Sequence, residues 1–257
     1  AMNVYVGCCG YGGIKGGMSA YFKAFNIVEI QSTFYELPRV STALSWLERA
    51  RSVNPGFVFT MKAWQAITHP PKSPTWRRAR SSPKPGYGYL RPNEDNFEAW
   101  RRTYEIALAL KARVIVVQTP SSFRYNEENV KNVEGFFSAI ERKGVLIGWE
   151  PRGDWRLHDD VVKRLVDTLN LIHVVDPFRW RSLSASDVVY YRLHGIGAGE
   201  TNYRYKYTKD DLEQLYRIVV GDLKSSQEVY VMFNNIWMID DSKAFKELLK
   251  LRGIDAL

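Results

Sequence analysis

Eight short β-branched or aromatic runs, their strict alternation with amphipathic helical stretches, and a length of 257 residues predict an α/β protein, a single-domain (β/α)8 TIM barrel. The strand runs fall at 4–8, 27–33, 57–63, 114–118, 145–150, 172–176, 188–194 and 229–234. Most are apolar on both faces, as strands of a parallel sheet covered by helices must be. The rival architecture is an open doubly wound sheet, whose first strand usually leads through Gly-x-Gly-x-x-Gly into a long helix. Gly10, Gly12, Gly13, Gly16 and Gly17 do follow the first run, but without that spacing, so they read as a loop.

The helical stretches follow the strands in turn. A short one at 18–25 comes after the glycine loop, then 42–52 with Leu44, Trp46 and Leu47. The stretch 96–111 carries Phe97, Trp100, Tyr104, Ala107 and Leu108 near a 3.6-residue period. Further helices are expected at 127–143, 159–169, 208–220 and 241–251, with Thr208 and Asp211 spaced as a capping box. The connection 177–187 has room for little more than a turn. The expected domain runs from 2 to 257, Ala1 reading as an added residue, with no linker, repeat or second domain.

Composition narrows the class. Hydrophobic residues are 45% and charged residues 25% of the chain, and no apolar run approaches the ~18 residues of a membrane span. The apolar stretch at Val4–Val6 is too short for a signal peptide. The expectation is a cytoplasmic protein with no membrane partner. Cys8 and Cys9 are adjacent and read as two free thiols rather than a disulfide framework. A net charge of +8 favours an anionic partner, either a small molecule or nucleic acid. Oligomeric state is not legible.

Barrel chemistry sits at the carboxyl ends of the strands, and here nearly every strand ends in polar residues. The second run carries Glu29, Gln31 and Thr33 at period two. The third ends in Lys62, the fourth in Gln118, the fifth in Glu150 followed by Arg152, the sixth in Asp176. The seventh ends in Arg192 and His194, the eighth in Asn234 and Asn235. Charged groups inside a barrel are costly unless paired or used. The catalytic candidates are Glu29, Lys62, Glu150, Asp176 and His194. Gln31, Tyr35, His69, Gln118, Arg152, Arg192, Tyr205, Tyr207, Asn234 and Asn235 are expected around the substrate. The competing reading is a structural ion network, Glu29 with Lys62 and Glu150 with Arg152 or Arg192. Glu29, Glu150, Asp176, His69 and His194 also offer donors to a divalent metal, but no ligand pair has the spacing of a known metal motif, so the cofactor stays open.

Two loops add to this. The insertion at about 65–94 holds Lys72, Arg77, Arg78, Arg80, Lys84 and Arg91, interleaved with Trp76, Tyr87 and Tyr89. That mixture suits phosphate backbones and unstacked bases, or else a Pro-stiffened solvated loop. After the seventh run, Gly195, Gly197 and Gly199 offer backbone amides for an anion nest. Tyr203, Tyr205 and Tyr207 follow, to stack on a ring or to pin the loop.

The string Glu29 to Pro38, EIQSTFYELP, resembles the signature of the YecE-like family, domain of unknown function 72. Further matches follow in order: Phe57-Val-Phe with Lys62, Thr68-His69, Gln118-Thr-Pro120, Trp149-Glu150-Pro-Arg152, Asp176, Tyr191-Arg192-Leu-His194-Gly195, Tyr205-Lys-Tyr207-Thr208 and Phe233-Asn234-Asn235. The resemblance spans almost the whole chain and implies a TIM barrel. Cys8, Cys9, Gly10 and Tyr11 stand where the family usually has Thr-Ser-Gly-Trp, Gln31 replaces an Asn, and Pro151 replaces an aromatic. The family barrel is similar in outline to endonuclease IV and xylose isomerase, which implies a nucleic-acid or sugar-phosphate substrate. A trinuclear zinc centre of the endonuclease kind needs many His ligands, and this chain has four His in all.

The expected function is hydrolysis of a phosphate-bearing substrate, nucleic acid included. Glu150 or Glu29 would serve as base or metal ligand, His194 as acid, and Lys62, Arg152 and Arg192 as charge stabilisers. The alternatives are a non-catalytic nucleic-acid-binding protein and a sugar-phosphate isomerase or aldolase using Lys62 as base or Schiff-base residue.

Overall fold

The computed structural model describes residues 3–257; Ala1 and the expected domain start at residue 2 lie outside them. The elements are β1 (Asn3–Cys9), α1 (Gly17–Ala24), β2 (Ile27–Ile30), α2 (Ser32–Tyr35), α3 (Val40–Val53), β3 (Val58–Lys62), α4 (Gln65–Thr68), a 3₁₀ turn (Pro74–Arg78), α5 (Glu94–Leu110), β4 (Val114–Gln118) and α6 (Glu127–Ala139). They continue with β5 (Leu146–Glu150), a second 3₁₀ turn (Gly153–Leu157), α7 (Asp159–Thr168), β6 (Ile172–His173), β7 (Val188–Leu193), α8 (Lys209–Asp222), β8 (Glu228–Phe233) and α9 (Met238–Leu251). One eight-stranded sheet runs in the order β6-β5-β4-β3-β2-β1-β8-β7. A parallel bridge from Val175, two residues beyond β6, to Tyr191 joins the two ends of that order. The fold class is the (β/α)8 barrel, and no helix is long and apolar enough to cross a membrane among the described residues.

The second strand departs from its expected extent. It stops at Ile30, because Gln31 turns into the right-handed helical region (φ −99°, ψ −32°) and opens α2. Glu29, Gln31 and Thr33 therefore do not share one strand face. Thr33 instead sits in a helical turn and donates to the Lys62 carbonyl at 2.6 Å. The sixth strand is also shorter than expected, and no helix links it to β7. The capping box at Thr208 and Asp211 is present in full.

Chain contacts divide the protein into two compact units, residues up to 29 with 49–58 and 172–257, and residues 30–48 with 59–171. In the first unit, β1, β7 and β8 pair in register, Tyr5 with Tyr230 and Tyr190 with Tyr230. Strand side chains alternate between faces. Tyr5, Tyr190 and Tyr230 stack on one face, centroids 4.7 and 5.2 Å apart. Val4, Val6, Val189, Val229 and Val231 on the other join Leu212, Leu215 and Phe245 of the helices in an apolar cluster. Gly7 lies on the tyrosine face, where a Cβ would stand 2.5 Å from the Ile27 carbonyl oxygen.

The same alternation separates the two cysteines. Cys8 faces α9, its Sγ 3.4 Å from Ser242 Oγ, whereas Cys9 shares the inner face with Glu29. Both are free and buried, as expected. Burial pushes the Cys8 thiol up to about 12, so neither thiol is set up as a nucleophile. In the native protein, a disulfide-exchange reagent should titrate no thiol within an hour and both after unfolding; rapid native reaction would contradict this packing.

In the second unit, the basic insertion is folded rather than open. Trp76 and Tyr87 are buried and stack at 5.7 Å, and Trp64 packs edge-on against both. The expectation that these two aromatics serve unstacked bases is corrected: their apolar area is more valuable in the core. Backbone bonds from Gly88, Tyr89 and Leu90 to the carbonyls of Ala66, Thr68 and Ile67 tie the far end of the insertion to α4. Asn96 on α5, fully buried, accepts from the Gly88 N–H and donates to the Gly88 and Arg91 carbonyls at 2.9–3.1 Å. Asn96→Ala orphans these buried groups and should cost about 2–3 kcal/mol. Thermal unfolding checks the cost, and proteolytic cuts within 70–90 check its location; an unchanged midpoint would count against it.

Candidate functional site

The second unit gathers cations around a histidine. Lys62 closes β3, and its Nζ sits 4.0 Å from the Phe34 ring centroid on α2. Such a contact stabilises the ammonium form. Arg152 follows β5, and its Nε donates to Glu150 Oε2 at 2.5 Å, with the two side chains 16% and 4% exposed. Glu150 lies opposite Gln118 in the β4–β5 register. The Gln118 amide donates to the Thr119 carbonyl, and the Thr119 hydroxyl accepts from Trp149 Nε1.

His69 caps α4, held by its N–H to the Gln65 carbonyl and by a 2.7 Å contact between Nδ1 and Thr68 Oγ1. Its ring is edge-on to Phe34. Its pKa falls from 6.5 to about 3, chiefly through burial and then through the positive charges of Lys62 and Arg152. His69 is therefore a neutral imidazole beside two cations. Tyr35 lies under Arg78, whose guanidinium stacks 4.2 Å from the ring centroid and donates to the Tyr35 hydroxyl. Gln31, at the start of α2, is half-buried.

In the first unit the charged side chains are committed to one another. Arg192 and Glu29 are 1% and 0% exposed. The guanidinium donates Nε and Nη2 to the carboxylate at 3.0–3.2 Å, and the Tyr190 hydroxyl donates to Oε1 at 2.8 Å. The structural ion network is thus realised in part as expected: Glu150 pairs with Arg152, one of its two expected partners, whereas Glu29 pairs with Arg192. His194 Nδ1 lies 3.1 Å from the Asn234 side-chain amide. Asp176 acts as a local clamp, accepting from the backbone N–H of Phe178 and of His194.

The glycine loop is built the opposite way to an anion nest. Its carbonyls at Gly195, Gly197 and Gly199 converge on the Arg179 guanidinium, and the Gly195 N–H donates to the Tyr207 hydroxyl at 2.8 Å. Carbonyls facing a cation repel an anion, so the nest is withdrawn. Tyr205 gives its hydroxyl to Asp211, and Asn235 Nδ2 bonds the Tyr205 carbonyl and Asp241 at 2.8 Å. Tyr205, Tyr207 and Asn235 hold the loop in place.

Sequence reasoning missed Phe34, Arg179 and Tyr190. Tyr190 carried a signal, two residues before Arg192 on the same strand face. Arg179, three residues beyond Asp176, carried only a weak one. Among the described residues, no group of three or more His, Cys, Asp or Glu side chains is arranged to hold a metal ion.

The fold and these groups define a (β/α)8-barrel protein with charged side chains at its strand ends, where barrels of this class carry their chemistry. The chain belongs to the family described as Protein of unknown function DUF72, which it matches over residues 12–255. It is similar to a DUF72 family protein from Enterococcus faecalis, with 18% identity, 99% of each chain covered and a TM-score of 0.73. A DUF72 family protein from Thermotoga maritima shares 24% identity over 96% of this chain and 99% of that one, with a TM-score of 0.70. Endonuclease IV from Thermus thermophilus shares the fold at 12% identity, over 96% and 100% of the chains, with a TM-score of 0.53. No curated protein matches the chain.

Proposed function

We propose that the protein is a hydrolase-like enzyme that binds a phosphate-bearing substrate at Lys62, His69 and Arg152. The observation that carries this reading is a buried imidazole kept neutral beside two cations. Positive charge converging on a desolvated ring favours an anion. A phosphate dianion placed beside Lys62 and Arg152 offsets the two positive charges that add to burial in lowering the His69 pKa. The ring then gains proton affinity when substrate is present, which suits a base acting on water. Glu150 orients Arg152 through its 2.5 Å contact.

The aldolase alternative needs Lys62 as a neutral amine. The Phe34 ring against its Nζ favours the charged form instead. The test is calorimetric titration with inorganic phosphate, followed by assay of phosphomonoester and phosphodiester hydrolysis. Phosphate binding lost in Lys62→Met supports the reading. Absence of phosphate binding and of turnover overturns it.

A further inference from the structure

We infer that the loops following β7 and β8 form a binding platform for single-stranded nucleic acid, independent of the function proposed for the Lys62 group. Large aromatics are usually buried, so exposed ones beside cations are informative. Here Tyr203 is 46% exposed and Trp237 is 41% exposed. The two loops are joined, because the Ile236 N–H donates to the Tyr203 carbonyl at 2.7 Å. Lys206 places its Nζ 4.6 Å from the Trp237 ring centroid, and Arg204 beside Tyr203 is exposed. A groove of about 600 Å³ continues past Trp237, lined by Lys15 and Lys243 against one acid, Asp240.

The platform is rigid where it needs to be. The Asn235 amide holds the Tyr205 carbonyl at 2.8 Å, and Asp241 accepts from the Tyr207 N–H at 3.1 Å. Both anchors lie close to the exposed rings in sequence. A ligand therefore meets loops whose backbone is already anchored, with little ordering to lose on binding. Partly exposed rings next to lysine and arginine match what bases and phosphates need together: stacking on the ring, charge on the backbone. A protein interface would instead deplete charge at its centre. The basic insertion expected to play this role buries its Trp76 and Tyr87, so the aromatic half of that chemistry is supplied here.

The experiment is fluorescence anisotropy of a labelled twelve-residue oligothymidine with the full chain, repeated at several salt concentrations. The expected result is binding that weakens with salt, with Trp237→Ala and Tyr203→Ala each weakening it about tenfold. Arg204→Ala should lower the log–log salt slope by about 0.7. Unfolding midpoints should fall only slightly, because both rings are partly exposed. The proposal is overturned by no binding at low salt, by binding indifferent to both ring deletions, or by a duplex of the same length binding as tightly as the single strand.

Discussion

Arg192→Met lowers the unfolding free energy by about 3–5 kcal/mol, because it leaves the Glu29 carboxylate charged, desolvated and without the fork that neutralises it. Glu29 is 0% exposed, and Arg192 meets it through two guanidinium nitrogens. Glu29→Gln is also destabilising, since it strands the guanidinium. For a chain of this size the loss corresponds to a fall in melting temperature on the order of 10 °C. The double variant Glu29→Gln with Arg192→Met should lose less than the sum of the two, because both charges are then gone. Urea unfolding of the four proteins decides it. Additive losses, or an Arg192→Met protein within 1 kcal/mol of the parent, would mean that the pair does not stabilise this interior as argued, 1 kcal/mol being roughly the worth of an exposed pair.

Removing either cation beside His69 has a different signature. Arg152→Met and Lys62→Met should each weaken phosphate binding by about tenfold to a hundredfold, as expected for loss of a charge-assisted contact. Each should also raise the His69 pKa from about 3, since a repelling charge is gone, while burial keeps it below the usual value. Histidine proton NMR on the two variants reads this directly. A His69 pKa that does not move would remove the electrostatic link on which the proposed function rests.

The same group makes the fold acid-sensitive, and the sign follows from linkage. Between pH 6.5 and about 3, His69 is protonated in the unfolded chain and neutral in the folded one. The unfolded state binds more protons in that window, so stability is complete above pH 6.5 and is lost as pH falls towards 3. His69→Phe should flatten this part of the stability curve.

The barrel class was legible because its signal is local and repeated. Eight apolar runs alternating with helical periods need no knowledge of contacts, and most expected boundaries lie within a few residues of the observed ones. The capping box at Thr208 depends only on residues three apart. The polar strand ends were legible for the same reason, as departures from an apolar pattern at positions the fold makes special.

Partnership was not legible. Nothing local says that Glu29 chooses Arg192 on β7, 163 residues away, or that Glu150 takes its neighbour Arg152 rather than Arg192. Those choices depend on strand register and on which face each residue turns. Gln31 and Thr33 show the cost of assuming that a strand continues: a helical turn at Gln31 redirects both. Trp76 and Tyr87 look like loop aromatics until α4, the 3₁₀ turn and Asn96 fold the insertion over Trp64. The glycines after His194 suggest an amide nest until Arg179 turns their carbonyls inward. The order of residues is enough for the class of fold and for the strand ends that carry charge, because periodicity and polarity are properties of each segment alone. Which charges neutralise one another, and which aromatics stay exposed, is settled when the chain assembles, because desolvation and pairing are properties of residues brought together from distant segments.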